Sequence, residues 1–153
     1  MRALLQRVTE AAVSVANPEG KWETVGAIGR GLLVLLCAEH GDTEDDARYM
    51  CGKIARMRLF PDGDGKTNLS VLDVKGAALV VSQFTLAADW RKGNRPGFSR
   101  AAAPDVAKAL YERFCALLAG EGVPVQTGRF AASMQVSLVN DGPFTLWMDS
   151  KES

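Results

Sequence analysis

The sequence predicts one α+β domain, a mixed layered α/β fold in which largely antiparallel and mixed β-sheets form a barrel-like core with two main helices packed on one side. Three observations lead there. A chain of 153 residues suits a single hydrophobic core and leaves little room for two. Only two segments carry helical periodicity, 43–58 and the stretch opened by Pro104, and the strand-like segments are interleaved with them unequally. No repeat, low-complexity tract or linker divides the chain, so 1–153 reads as a single domain.

Taken in order, Arg2 to Ala16 reads as one or two strands, with Ala3, Leu5, Val13 and Val15 on alternating faces. "NPEGK" (17–21) is a turn. Lys21 to Ile28 and Gly31 to Ala38 then read as a hairpin across Gly29-Arg30, and GLLVLLCA is apolar enough to be buried on both faces, as a central strand is. Thr43 followed by Glu44, Asp45 and Asp46 has a capping-box arrangement with an acidic first turn, while Lys53, Arg56 and Arg58 complement the other end of the helix dipole. Ala47, Met50, Ile54 and Met57 share one face, so 43–58 is a helix that packs on a sheet.

After a turn-rich loop at 61–68, Ala77 to Leu86 returns to strand character. Pro104, at an N1-like position, opens the second helix; Val106, Leu110, Phe114 and Leu117 form its expected buried stripe, and Gly120 and Gly122 end it. Val123 to Gln126, Met134 to Val139 and Phe144 to Met148 supply the closing strands. Between the last two stands Gly142-Pro143, and a proline cannot donate to a sheet ladder, so it marks an edge, a bend or a break.

Lys plus Arg equals Asp plus Glu, 18 each, so no global field draws this chain to nucleic acid or membrane, and an anionic partner must be met by a local patch. No stretch approaches a membrane span or the apolar core of a signal peptide. Cys37, Cys51 and Cys115 are odd in number, lack CxxC spacing and sit among apolar neighbours, as buried reduced thiols do. A soluble, cytoplasmic protein is expected.

Few segments carry overt chemistry. His40, the only histidine, ends the central strand beside Gly41, where a surface role outweighs a catalytic one; with no second histidine, neither a Ser-His-Asp triad nor a zinc site of familiar spacing assembles, and no cofactor or metal is expected. "DGDGKTN" (62–68) begins like a calcium loop with Asp62 and Asp64, but Lys66 and Thr67 stand where a ligand and the turn glycine belong. "RKGNRPGFSR" (91–100) gathers Arg91, Lys92, Arg95 and Arg100 without one acid, either as a solvated loop or as a phosphate grip with Phe98 stacking on a base. "SQFTL" (82–86) places Ser82, Gln83 and Thr85 among core-like residues, as satisfied sheet polars or as groups with a task.

At these residues the sequence resembles the D-aminoacyl-tRNA deacylases. SQFTL matches one of that family's motifs in full, and Asn140, Gly142, Pro143, Phe144 and Thr145 match a second, N-x-G-P-[apolar]-T, in which Val often stands where this chain has Phe144. The similarity extends through "LLQRV" (4–8), "TNLSVLDVKG" (67–76), "RPGFS" (95–99) and "QTGRFAASMQVSLVNDGP" (126–143).

The resemblance implies a homodimeric hydrolase, active at its subunit interface, that cuts the ester between a D-amino acid and the terminal adenosine of tRNA, with glycyl-tRNA mischarged on tRNA(Ala) as a further substrate. It implies that Ser82, Gln83, Phe84 and Thr85 line the aminoacyl pocket, with backbone groups near Phe84 as oxyanion contacts. It makes Gly142-Pro143 a cis backbone wedge that enters the partner subunit's site and excludes L side chains, supported by Arg7, Asn140 and Thr145. Phe130 and Met134 would hold the adenine; the composition of the 91–100 loop, not the resemblance, offers Arg91, Lys92 and Arg95 as contacts to tRNA phosphates. An activated ester needs little more than positioning and an oxyanion site, and the RNA's own 2′-hydroxyl is implied to assist water; Thr85 as nucleophile is the alternative. A non-enzymatic RNA-binding scaffold, with Gly-Pro as a mere strand bend, is the competing class.

Overall fold

The computed structural model describes residues 1–152. Its elements are β1 (Arg2–Ala16), β2 (Trp22–Ile28), β3 (Gly31–Cys37), α1 (Glu44–Arg56), β4 (Phe60–Pro61), β5 (Thr67–Leu69), β6 (Ala77–Ser82), α2 (Pro104–Gly120), β7 (Val125–Thr127) and β8 (Met134–Asp149), with a 3₁₀ turn at Phe84–Ala87. Two helices and one six-stranded mixed sheet make the α+β fold that the sequence predicts.

β1 organises the sheet. β8 pairs antiparallel with it from Arg2 to Val15, so its other edge is shared end to end by β3, opposite Arg2–Val8, and β2, opposite Ala11–Ala16. The expected hairpin between the segments 21–28 and 31–38 is therefore not formed. Both strands follow one another closely in sequence, but β1 is long enough to satisfy the ladder groups of each, and they pair with it instead of with one another. β3 is nonetheless central, with parallel β6 on its far side and β7 parallel beyond that. The β3–β6 approach is close: a Cβ on Gly31 would stand 1.8 Å from the Ala77 carbonyl oxygen. At the open side β2 curls back to β7, where a Cβ on Gly26 would lie 2.5 Å from the Thr127 carbonyl oxygen. The sheet is thus nearly closed into a barrel.

Two bulges let β1 serve two cores. Between Val8 and Glu10 it advances two residues while β8 moves from Asn140 to Val139, so Thr9 is extra. That slip brings Ala11 and Val13 onto the side of Val8, in the cluster completed by Ile28, Leu33, Leu79 and Val81. Ala3 and Leu5 belong to the other cluster, where Leu32, Val34, Ala78 and Val80 meet α1 and α2. The second bulge lies in β8: residues 141–144 stand opposite Arg7 alone, because Gln6 pairs with Thr145 and Val8 with Asn140. The two closing strands expected on either side of Gly142-Pro143 are one strand, and the Gly-Pro pair is its protrusion.

Three expectations shift in detail. α1 ends at Arg56, leaving Arg58 beyond it; at its start the Asp46 carboxylate accepts the Thr43 N–H at 2.9 Å. The buried stripe of α2 is Tyr111, Phe114 and Leu118, with Val106 exposed, because the helix turns Tyr111 inward to donate its hydroxyl to the Val80 carbonyl at 2.7 Å. β6 stops at Ser82, where the Gln83 N–H donates to the Leu36 carbonyl at 2.7 Å and the chain leaves strand geometry.

Candidate active site

A cavity of about 470 Å³ opens where β3 and β6 end side by side. Leu36 pairs with Ser82 in the parallel ladder, and just beyond it Cys37, Ala38, Gln83 and Phe84 also line the cavity. Its other walls come from the start of α2 (Pro104, Ala107, Tyr111) and from the connection into β8 (Phe130, Ala131, Met134). This is the position where strand ends free backbone groups for a ligand. Ala131 has φ 63°, in the left-handed region that an alanine rarely occupies.

The structure gathers Ser82, Gln83, Phe84, Phe130 and Met134 around one cavity. Thr85 is set apart. It does not line this cavity but a separate depression, with Arg2, Trp90, Arg100 and Trp147. Its hydroxyl accepts from the Gln83 side-chain amide at 2.5 Å, so the two motif polars partner each other. Phe84 is 56 % exposed, and its ring meets Phe98 edge-on, centroids 5.1 Å apart. Phe98 thus packs on the motif itself, and the loop that carries it returns along the cavity rim, where Ala102 donates its N–H to Ala38.

Cys37 donates its thiol to the Phe84 carbonyl at a Sγ–O distance of 3.6 Å. Burial, reinforced by the Glu39 carboxylate, pushes that thiol up to about 11; burial likewise raises Cys51 to about 12 and Cys115 to about 11. All three remain neutral thiols near pH 7, and none is a thiolate nucleophile. The hydroxyl of Tyr111 is raised by burial as well. His40 is exposed, and among the described residues only its backbone is engaged, donating to the Arg100 carbonyl. Among the described residues no group of three or more His, Cys, Asp or Glu is arranged to hold a metal ion.

The β8 protrusion is held from behind. Arg7, 7 % exposed, donates from Nε to the Asp141 carbonyl at 3.1 Å and from Nη1 to the Leu59 carbonyl at 2.6 Å, and its guanidinium pairs with the Asp141 carboxylate. Its Cζ lies 4.3 Å from the Phe144 ring centroid, a cation–π contact. Asn140 closes the bulge with its side-chain amide, donating to the carbonyls of Arg7 and Phe144 at 3.0 and 3.1 Å. Thr145 accepts from the Gln6 amide at 3.2 Å. Gly142 and Pro143, joined by a cis peptide bond, are exposed, and neither lines the cavity of its own chain.

Arg91, Lys92 and Arg95 are exposed and enter no ion pair among the described residues; Arg100 pairs with Glu39. None of the three loop cations lines the main cavity. Cys37 and Tyr111 are among the cavity residues that sequence reasoning missed. Only the i, i+3, i+7 relation of Tyr111 to Phe114 and Leu118 hinted at an inward Tyr111, and nothing local marks Cys37. Among the described residues no helix is long and apolar enough to cross a membrane.

Comparison with known proteins shows the family and the fold. A family model described as D-Tyr-tRNA(Tyr) deacylase matches residues 4–149. A D-aminoacyl-tRNA deacylase of Ruegeria pomeroyi is 60 % identical over 149 residues, covering 97 % of this chain and 99 % of the relative. One from Bacillus pumilus is 54 % identical, covering 99 % of this chain and all of the relative (100 %). Among solved structures, a c-Myc DNA unwinding element binding protein superposes with a TM-score of 0.89 at 39 % identity, covering 99 % of this chain and 100 % of that one. A probable eukaryotic D-amino acid tRNA deacylase shares the fold, with a TM-score of 0.78 at 22 % identity over 96 % of this chain and 97 % of that one.

Proposed function

The chain belongs to the D-Tyr-tRNA(Tyr) deacylase family and acts as a hydrolase on D-aminoacyl-tRNA in translation proofreading; from that premise we propose how its own residues carry the reaction. The terminal adenosine enters between Phe130 and Met134, and the aminoacyl group lies along Ser82, Gln83 and Phe84 at the strand ends. Backbone N–H groups near Phe84 meet the oxyanion as water attacks the ester carbonyl. The thiols are neutral and His40 faces outward, so positioning and charge stabilisation supply the acceleration. Thr85, which does not line the cavity and is tied to Gln83, serves to shape the motif and is not the nucleophile.

The single observation that carries the chiral part of the proposal is the braced, exposed β8 protrusion that its own cavity does not use. A segment held by Arg7 and Asn140 and presented to solvent suits insertion into a second copy. In a homodimer Gly142 and Pro143 of each subunit reach the partner's cavity, and their carbonyls fill the space an L side chain would need. Arg91, Lys92 and Arg95, on the loop along the cavity rim, meet phosphates of the bound tRNA. The medium is the cytoplasm, where reduced cysteines persist.

Following ester loss from D-tyrosyl- and L-tyrosyl-tRNA tests the proposal. Rapid hydrolysis of the D ester alone supports it; equal hydrolysis of both, or of neither, overturns it. A purely DNA-binding role is disfavoured by the balanced charge, 18 cations against 18 anions, which gives no broad basic face.

A further inference from the structure

A second groove of about 440 Å³ adjoins the cavity and shares two of its walls, Tyr111 and Phe130. The two rings, centroids 6.1 Å apart, stand where the two meet. On the far side the groove is lined by Lys108 and Glu112, one turn apart on α2, and by Arg129 from the connection into β8. Lys108 and Arg129 are exposed and enter no ion pair among the described residues. Each is one residue away from a cavity wall, Ala107 and Phe130 respectively. Two unpartnered cations therefore flank the end of the cavity where Phe130 stands, with one carboxylate beside them.

We propose that this groove is the subsite for the phosphodiester that links the terminal adenosine to the nucleotide before it, with Lys108 and Arg129 as its two cationic contacts. The inference rests on the deacylase reading above. An adenosine held by Phe130 has its own 5′ phosphate one linkage away, so the groups that meet it must adjoin that ring. Lys108 and Arg129 do. The loop cations Arg91, Lys92 and Arg95 line neither this groove nor the cavity, and they suit phosphates farther along the RNA. Arg129 offers a fork to the phosphate oxygens and Lys108 a point charge. Glu112 limits the groove to a single net positive charge, enough to orient one phosphate and too little to hold nucleic acid on its own.

The test compares three substrates carrying the same D-tyrosyl ester: full tRNA, the trinucleotide CCA, and adenosine, which has no phosphate. The K108Q and R129Q exchanges, both at exposed positions, are each expected to raise KM for the trinucleotide and for tRNA about fivefold, with kcat kept and with D-tyrosyl-adenosine cleaved as by the parent. E112Q is expected to lower KM for the trinucleotide. Joint neutralisation of Arg91, Lys92 and Arg95 is expected to weaken binding of full tRNA and flatten its salt dependence while leaving the trinucleotide unaffected. Parental KM on the trinucleotide for both K108Q and R129Q overturns the subsite, as does an equal loss on adenosine. If the parent cleaves none of the three, the deacylase reading itself fails, which is a distinct result.

Discussion

The Arg7 guanidinium lies 4.3 Å from the centre of the Phe144 ring, and the same group donates to the carbonyl of Asp141 at the other end of the bulge. One buried side chain thus holds both feet of the Gly142-Pro143 protrusion. A strand arginine that looks ordinary in sequence sets the shape of a surface element.

Replacing Arg7 with Met is expected to leave the carbonyls of Leu59 and Asp141 without donors. The cost is about 2–3 kcal/mol of stability, read as a lower urea midpoint. Residual folded enzyme should discriminate less against L-tyrosyl-tRNA. Arg7→Lys keeps the charge but loses the fork, and should fall between the two. An R7M variant with parental stability and parental selectivity would show that the bulge stands without its brace.

Gly142→Ala should separate folding from selection. A Cβ there would find only the Asn140 side-chain oxygen at 3.4 Å, so the isolated chain accommodates it. If the protrusion enters the partner's cavity, that methyl group lands among the substrate-binding groups. D-tyrosyl-tRNA hydrolysis should drop at least tenfold with an unchanged melting temperature. Parental activity would mean that Gly142 faces solvent in the working enzyme.

A wedge made of backbone excludes a side chain pointing one way and gains nothing specific from one pointing the other. Glycyl-tRNA should therefore be cleaved, including tRNA(Ala) mischarged with glycine, in a side-by-side assay with D-alanyl- and L-alanyl-tRNA. Should glycine resist as strongly as L-alanine, a pocket that positively grips the D side chain must replace the wedge.

Thr85→Ala should reduce activity about fivefold, the worth of one hydrogen bond that orders Gln83, and leave it measurable. Intact-mass analysis during turnover should detect no acyl adduct on the parent. Complete loss with parental tRNA binding, or an adduct at Thr85, would establish a covalent route.

Acid should weaken the junction of α1 with the chain's last residues. Burial alone would raise the Asp46 carboxyl, but the Thr43 N–H, the Lys151 ammonium and the Ser150 hydroxyl outweigh it and hold it at about 2, below the ordinary 3.8. A carboxylate depressed in the folded state contributes stability that is present above its unfolded value and is lost as pH falls through the folded one. The difference in melting temperature between the parent and Asp46→Asn should be full above about pH 4 and vanish toward pH 2. A gap that persists unchanged at pH 2 would assign the effect to packing.

The sequence by itself determined the fold class, the two helices, the buried central strand and the two motifs, because each is written in local periodicity, capping residues or a contiguous string of residues. It could not show that β1 takes β2, β3 and β8 as partners in place of a β2–β3 hairpin: strand pairing is decided by which edges are long enough and free, and that is a property of the assembled sheet. For the same reason the Gly-Pro pair read as a gap between two strands, when only the register against Arg7 reveals one bulged strand. Thr85 read as a neighbour of Ser82 and Gln83, yet the chain leaves strand geometry at Gln83, where its N–H is captured by Leu36, 47 residues earlier, and period-2 reasoning fails at that step. The cavity brings together residues from four distant parts of the chain, and the cationic groove beside Tyr111 and Phe130 joins α2 to the segment 127–130. Only tertiary packing could place them, since no local propensity encodes which side chains converge across a folded core.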